Sequence, residues 1–165
     1  MRLFTALWLP DEAVAALLAA RGAEPAGWRF AAPETWHVTL AFHGEADPGP
    51  LARRLDAAAH GLVARRLRVA GGGSFERVRW AGIEPADALL PLVTAAGGGV
   101  AAFVPHVTLL RRRVRPGPEV VADPPAPRVP PGPWWTPREV LLAASEPARG
   151  GVRYRTVHRV PLAGR

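Results

Sequence analysis

The sequence predicts an α+β fold with antiparallel strands, on the basis of three observations. At 165 residues, with 48% hydrophobic and 21% charged residues, the chain has the balance of one compact globular domain. Strand-like and helix-like patterns follow one another in an irregular order, and two pairs of strand patterns are separated only by turn sequences, at Gly71–Gly73 and Pro147–Gly151. Short turns join antiparallel neighbours, whereas a doubly wound sheet needs a crossover between successive strands. We therefore expect one α+β domain over residues 1–165.

The first quarter of the chain is expected to form a strand, a helix and a second strand. Leu3–Leu9 is an apolar run that ends at Pro10, which is typical of a buried strand followed by a turn. A helix is predicted from Asp11, as its N-cap, to about Ala20. After a loop, Trp36–His43 alternates between polar and apolar side chains, as a half-buried strand does.

The middle of the chain combines helices with a hairpin. The pattern is helical over Pro48–Ala64, and two strands, Val63–Ala70 and Phe75–Ile83, are expected around a turn at Gly71–Gly73. These glycines are not followed by the lysine and hydroxyl residue of a phosphate-binding loop, so they predict a turn and not a nucleotide site. A short helix is expected near Ala86–Ala95.

The last third returns to strands. Ala101–Arg112 repeats the alternating pattern of a half-buried strand. The segment Pro116–Pro137 contains nine prolines, which cannot donate backbone hydrogen bonds to a sheet. It predicts an irregular surface excursion with a possible short edge strand at Glu119–Ala122. Two closing strands are expected at Glu139–Ser145 and Arg153–Leu162.

Both alternating strands contain the tetrapeptide HVTL, beginning at His37 and at His106. Local residue frequencies give roughly two chances in a thousand of a second histidine followed by the same three residues. Because side chains alternate along a strand, His37 and Thr39 share one face, as do His106 and Thr108, while valine and leucine face the core. Two such strands facing each other would form a cleft with two imidazoles and two hydroxyls.

The same alternation predicts which strand face the residues after each HVTL motif occupy. It places His43 on the face of His37 and Phe42 on the opposite face, and both are candidate cleft residues. In the second strand it places Arg111 opposite His106, unless the strand twists or ends there.

The residue types of the two motifs suit acid and base chemistry on a phosphate ester. An unperturbed histidine titrates near pH 6.5, so a pair can hold one neutral and one protonated ring near neutral pH. Threonine hydroxyls can donate to phosphate oxygens, and arginines can offset its charge. The chain has no cysteine, which excludes thiolate chemistry, and Ser145 lacks the GxSxG context of a serine nucleophile. No third metal ligand lies near either motif, so no metal or other cofactor is expected.

Charge and termini bear on partners and location. The net charge is +7, and all 21 basic residues are arginine. Arginine binds phosphate well, so an RNA ligand is one interpretation, and a genome-wide coding bias is the other. The N-terminal apolar run is too short for a signal peptide, and no apolar run is long enough to span a bilayer. We expect a cytoplasmic protein with no membrane partner and no obligate protein partner.

These motifs and their surroundings resemble the two-histidine (2H) phosphoesterase superfamily, which is defined by paired HxTx motifs. Within it they resemble the LigT-like bacterial RNA 2',3'-cyclic phosphodiesterases. The resemblance covers nearly the whole chain, through the segments MRLFTALWLPDEAVAAL, WHVTLAFHGE, FERVRWAGIEP, FVPHVTLLR and LLAASEPARGGVRYRTVHRVPL. It implies two pseudo-symmetric lobes, each with an antiparallel sheet and outer helices, and a central cleft lined by the two HxTx strands.

The resemblance also implies roles for the motif residues. His37 would be the proton donor and His106 the proton acceptor, with Thr39 and Thr108 holding the phosphate. Arg111 stands where the family has a motif arginine and would assist with charge. His106 would activate water to attack a 2',3'-cyclic phosphate, and His37 would protonate the departing 3' oxygen, which leaves a 2'-phosphomonoester. The implied partner is an RNA or nucleotide with a 2',3'-cyclic phosphate end.

Three features depart from the family pattern. His43 stands where the family more often has an aliphatic residue, and a rim histidine without a role is the simpler interpretation. The stretch between Ile83 and Val104 is short, which suggests a trimmed helix and a more open cleft. Trp134 and Trp135 lie in the proline-rich excursion, where packing beneath a loop is favoured over stacking on a base.

Three other functions are compatible with the residues. The same site could join RNA ends through a 2'-5' linkage, an activity for which the family is also named. A non-catalytic module could bind RNA or nucleotide phosphate in the cleft, and the two histidines could belong to a metal site. Hydrolysis is favoured over joining because water is abundant and nothing in the sequence supplies energy for ligation.

Overall fold

The computed structural model describes residues 1–114 and 122–164. It has an α+β fold with two four-stranded antiparallel sheets, as predicted. The strands are β1 Arg2–Trp8, β2 Trp28–Phe30, β3 His37–Glu45, β4 Arg68–Phe75, β5 Val78–Glu84, β6 His106–Arg112, β7 Glu139–Ala148 and β8 Gly151–Pro161. The helices are α1 Asp11–Ala20, α2 Pro48–Ala59 and α3 Leu90–Ala96, with 3₁₀ turns at Pro33–Thr35 and Ala86–Leu89.

Each sheet contains one of the two HVTL strands. The first sheet has the order β3-β1-β7-β8, with the first motif on the edge strand β3. The second has the order β2-β6-β5-β4, with the second motif on the inner strand β6. β3 and β6 also contact each other, so the two motifs approach from different sheets. This arrangement confirms the two-lobed architecture implied by the resemblance.

The helices pack on the sides of the sheets that face away from the motif histidines. α2 packs against α3 and β8, α3 packs against β3, and α1 packs against β4. One core of buried apolar residues includes members of both sheets and all three helices, such as Leu17, Leu55, Val93, Val38 and Val107. Within residues 1–114 and 122–164, no helix has both the length and the hydropathy needed to cross a membrane.

The prediction of a turn at Gly71–Gly73 is wrong, because these glycines lie within β4 and the turn falls at residues 76–77. They are needed for close packing. A Cβ atom at Gly73 would overlap the ring of Trp80, and one at Gly72 would come within 2.5 Å of the Trp80 carbonyl oxygen. The strand also shifts register between Val69 and Gly72, so the glycines form a bulge that admits the Trp80 indole.

Three predicted boundaries also need correction. Pro10 and not Asp11 is the N-cap of α1, and no side chain caps this helix. α2 ends at Ala59, well before residue 64. The second motif strand starts at His106 and not at Ala101, because the chain before it turns through residues 101–102, with Ala102 at a φ of 59°.

The described part of the proline-rich segment is more buried than the predicted surface excursion would be. Val129 and Trp135 are buried, and their backbones pair with Gly71 and Leu67 beside β4. This segment therefore covers the edge of the second sheet. Trp134 is partly exposed and lies against guanidinium groups, whereas Trp135 is packed as predicted. The predicted edge strand at Glu119–Ala122 lies outside the described residues, apart from its last residue.

Candidate active site

The two motif histidines are held in the same way, each at the first residue of its strand. The Nδ1–H of His37 donates to the carbonyl oxygen of Thr35 at 2.6 Å. The Nδ1–H of His106 donates to the carbonyl oxygen of Val104 at 2.7 Å. A carbonyl oxygen can only accept, so in each ring the proton is fixed on Nδ1.

This anchoring decides what each imidazole can do. With Nδ1 protonated, the Nε2 atom of a neutral ring has a free lone pair and can act as a base, and a charged ring can donate from Nε2. The Nε2 atom of His37 lies 3.1 Å from the hydroxyl of Thr39, so the first histidine and threonine share a face as predicted. In the first motif the reactive nitrogen thus lies beside the threonine hydroxyl, and in the second motif His106 and Thr108 are both half-buried in β6.

His37 sits in an aromatic pocket of the first sheet. Its ring stacks on Trp8 at 4.9 Å between centroids, and Phe4 and Tyr154 lie at 5.1 and 5.2 Å. His106 is flanked by a second aromatic pair, with Phe75 at 5.1 Å in an edge-on arrangement and Trp80 at 5.7 Å. These side chains restrict the orientation of the two rings and limit water around His37.

The pKa of His37 is lowered from its usual value near 6.5 to about 4. Burial is the largest cause, because it disfavours the charged ring. The hydrogen bond to Thr35 acts in the opposite direction, and the positive charge of Arg111 and electrostatic interaction with the His106 ring lower the pKa further. Groups of the second sheet therefore influence a histidine of the first sheet, across the contact between β3 and β6.

The simple alternation predicted for the two strands fails after the leucine of each HVTL motif. In β3 the pairing with β1 skips Leu40, so Leu40 and Ala41 both point into the core. In β6 the pairing with β5 skips Leu109, so Leu109 and Leu110 do the same. Each motif thus contains a β-bulge at its leucine, which reverses the faces of the residues that come directly after it.

The bulges return one further residue of each strand to the histidine face. Phe42 and Arg111 both lie five residues after the motif histidine, and both are exposed there. Phe42 is 81% exposed, which is unusual for a phenylalanine. The prediction that Arg111 lies opposite His106 is therefore wrong, and so is the opposite-face prediction for Phe42.

His43 lies on the other side of β3, away from the face of His37. A second register shift follows Phe42, and the Nε2 atom of His43 is 2.8 Å from the hydroxyl of the buried Thr5. Burial lowers the pKa of His43, and the nearby Arg54 of α2 lowers it further. His43 therefore faces the helices, and the prediction that it shares the face of His37 is wrong.

Sequence reasoning missed the aromatic residues around the two histidines. They belong to strands β1, β4, β5 and β8, and their place in the site depends on register between strands that are distant in sequence. Only β1 gave a signal, since Phe4 and Trp8 have the same parity in an apolar run. In the part of the chain that the structure describes, no group of three or more histidine, cysteine or carboxylate side chains is placed to hold a metal ion.

Two lobes, each with one HxTx strand and an anchored histidine, are the features expected of the 2H phosphoesterases, a class of hydrolases. Comparison with known proteins gives the same result. A family model described as LigT like Phosphoesterase matches residues 7–81. The RNA 2',3'-cyclic phosphodiesterase of Thermus thermophilus is 33% identical, over 99% of this chain and 91% of that protein. The chain belongs to the LigT-like phosphoesterase family.

Solved structures of the family share the fold over the full chain. The crystal structure of TT0787 of Thermus thermophilus has a TM-score of 0.75 and 31% identity, and covers 99% of both chains. The structure of E. coli LigT complexed with 3'-AMP has a TM-score of 0.76 and 29% identity, over 98% of this chain and 97% of that one. The two-sheet architecture is thus the architecture of this family.

Proposed function

We propose that the protein hydrolyses RNA 2',3'-cyclic phosphate ends to 2'-phosphomonoesters by metal-independent acid and base catalysis, with residues 1–165 as one bilobal catalytic unit. The observation that carries the proposal is the matched anchoring of His37 and His106, which leaves one Nε2 atom of each ring for chemistry. The related Thermus thermophilus protein is named RNA 2',3'-cyclic phosphodiesterase, and E. coli LigT forms a complex with 3'-AMP.

In the proposed reaction the protons move between the two Nε2 atoms. His106 takes a proton from a water molecule while the oxygen of that water attacks phosphorus. The bond from phosphorus to the 3' oxygen breaks. His37 gives its Nε2 proton to that 3' oxygen, which becomes a hydroxyl. The phosphate remains on the 2' oxygen, and the two histidines end with their protonation states exchanged.

The low pKa of His37 affects how it obtains the proton that it donates. Without substrate the ring is neutral at pH 7, because its pKa is about 4. A phosphodiester anion beside it opposes the positive charge of Arg111, which is among the causes of that low value. Binding of the anion therefore raises the pKa of His37, and we propose that the donor is protonated together with substrate binding.

The phosphate itself would lie between the two motifs. Thr39 and Thr108 are on the histidine faces and offer hydroxyl donors to its non-bridging oxygens. Arg111 is on the same face after the bulge and supplies a charge-assisted donor. Phe42 occupies the matching position in the other lobe, so one lobe offers a cation and the other an apolar ring, which suits the base or ribose of a nucleotide.

The proposed function is tested by giving the pure protein a 2',3'-cyclic nucleotide and an oligonucleotide with a cyclic phosphate end, both with EDTA present. We expect hydrolysis to continue at an unchanged rate and to yield only the 2'-phosphate isomer. A 3'-phosphate product would contradict the assigned roles, and activity lost with EDTA would contradict metal independence. Joined oligonucleotides as the main product would favour the ligase instead.

Replacing Phe42 by alanine is expected to raise KM for a cyclic nucleotide about tenfold, with kcat nearly kept. The physical reason is the loss of a stacking surface, which contributes about 1–3 kcal/mol per base. Because Phe42 is almost fully exposed and makes little core contact, the melting temperature is expected to change little.

The matched control for this test is Leu18→Ala, which removes an exposed apolar side chain from helix α1. It is expected to leave KM and kcat unchanged. An unchanged KM in Phe42→Ala would show that the ring does not contact the nucleotide.

A further inference from the structure

A second arginine extends the cationic surface next to Arg111. Arg29 lies on β2, the edge strand that pairs with β6, and its register partner is Arg111. Directly opposed residues in an antiparallel pair point to the same face, with Cα atoms about 5 Å apart. Trp28 beside it is buried in the core, so Arg29 points the other way, to the face of His106 and Arg111.

Arg29 and Arg111, on the histidine face, differ from the neighbouring Arg112 and Arg113 in their carboxylate partners. Arg112 lies 3.9 Å from the carboxylate of Asp123, and Arg113 lies 3.3 Å from that of Glu24. Among the residues that the structure describes, neither Arg29 nor Arg111 has a carboxylate within 4 Å. In this part of the second sheet the described carboxylates thus pair with Arg112 and Arg113 and not with the two arginines of the histidine face.

Glu24 is a carboxylate whose pKa is influenced by Arg29. The pKa of its carboxyl is lowered mainly by the backbone N–H of Phe30, then by Arg113, and least by Arg29. Its oxygens already accept hydrogen bonds from Phe30 and Arg113. Glu24 therefore leaves the guanidinium of Arg29 available to another anion.

The guanidinium of Arg29 is held in place from the opposite lobe. Its Nη1 atom donates to the carbonyl oxygen of Gly150 at 3.1 Å, in the turn between β7 and β8 of the first sheet. A guanidinium has five N–H donors, so this bond leaves most of them for a ligand. Because the side chain is already ordered, an anion that binds to it costs less conformational entropy.

We propose that Arg29 binds the phosphate of the nucleotide that precedes the cyclic end, so that the protein favours oligonucleotide ends over free cyclic mononucleotides. This inference rests on the proposed function. With the cyclic phosphate at the histidines and Arg111, the cation one strand further out is placed for the next phosphodiester along the RNA. A cyclic mononucleotide has no such phosphate and gains nothing from Arg29.

The experiment compares 2',3'-cyclic AMP with a diadenylate that ends in a 2',3'-cyclic phosphate. In Arg29→Ala we expect KM for the diadenylate to rise about tenfold, the loss of one charge-assisted hydrogen bond, with kcat kept. Both constants for cyclic AMP should stay within about twofold of wild type. The plot of log kcat/KM for the diadenylate against log salt concentration should become shallower by about 0.7, as expected for one phosphate contact on a single strand.

Two further variants test whether the charge of Arg29 carries the effect. Arg29→Lys keeps a positive charge on a side chain of similar length, and it should recover most of the affinity for the diadenylate that Arg29→Ala loses. Arg53→Ala removes an exposed arginine of α2 and should leave all four constants and the salt dependence unchanged.

Equal losses on both substrates would show that Arg29 acts only by joining the lobes, and would overturn the inference. Unchanged constants on both substrates would overturn it as well, while leaving the proposed function intact. If the wild-type protein hydrolyses neither substrate, the proposed function is itself wrong and Arg29 has no such role.

Discussion

Replacing His106 by alanine is expected to lower kcat for a 2',3'-cyclic nucleotide by about 10² to 10⁴, the usual contribution of one positioned acid or base. Replacing His37 by alanine should have an effect of the same size. The Nε2 atoms of these rings are the groups that exchange protons with water and with the departing oxygen in the proposed reaction. Steady-state rates at saturating substrate measure the effect directly.

Binding should be affected much less than turnover. Inorganic phosphate is expected to bind to the single alanine variants nearly as well as to the wild-type protein, because Thr39, Thr108 and Arg111 remain. The double variant should be little slower than either single one, since an acid and a base that act in one step are strongly non-additive. His60→Ala is the matched control, because His60 is an exposed histidine at the end of α2.

The same variants distinguish an enzyme from a module that only binds phosphate. A binding module predicts weaker phosphate binding in His37→Ala or His106→Ala and no turnover in the wild-type protein. Full activity in either variant would contradict acid and base catalysis by this pair. The wild-type rate and the binding constants therefore have to be measured on the same preparations.

The sequence was sufficient to predict that each motif histidine shares a strand face with its threonine. The reason is that side chains alternate regularly within the four residues of each HVTL motif. This alternation places His37 with Thr39 and His106 with Thr108, and the structure agrees up to that point. The bulges at Leu40 and Leu109 come next. A bulge depends on how a strand pairs with its neighbour, and neither HVTL copy carries a glycine or proline that would signal one.

The prediction of a turn at Gly71–Gly73 was wrong for a related physical reason. Glycine is favoured in turns, and it is also favoured where a backbone must accept a large side chain in close contact. Trp80 lies across Gly73, and its ring then reaches His106. Nothing local in the sequence links the glycines to a tryptophan on the next strand, so the cause is visible only once β4 and β5 are paired.

The wild-type protein is expected to become less stable as the pH falls below 6.5, because His37 is held neutral in the fold. The pKa of His37 is about 4 in the folded protein, and an unfolded chain leaves histidine near 6.5. Folding therefore favours the neutral ring, and its stabilising effect is complete above pH 6.5. The effect is lost progressively as the pH falls from 6.5 to about 4, because the unfolded chain binds the proton first. The full loss corresponds to about 3 kcal/mol of unfolding free energy.

The comparison that isolates His37 uses His37→Phe, which keeps an aromatic ring next to Trp8 and Phe4 but cannot be protonated. Urea unfolding at pH 7 and at pH 4.5 gives the free energy of unfolding for both proteins. Carboxylates whose pKa is lowered, such as Glu24 and Glu146, also destabilise the fold in acid, but they do so equally in both proteins. We expect the wild-type protein to lose about 2 kcal/mol more than His37→Phe between these pH values.

The absolute stability of the variant does not enter this comparison, because only the change with pH is used. His60→Phe is the control, since it makes the same replacement at an exposed histidine outside the aromatic pocket. Equal pH dependence in wild type and His37→Phe would mean that His37 titrates normally. The aromatic pocket would then fail to exclude water from the ring, and the coupling of His37 protonation to substrate binding would lose its basis.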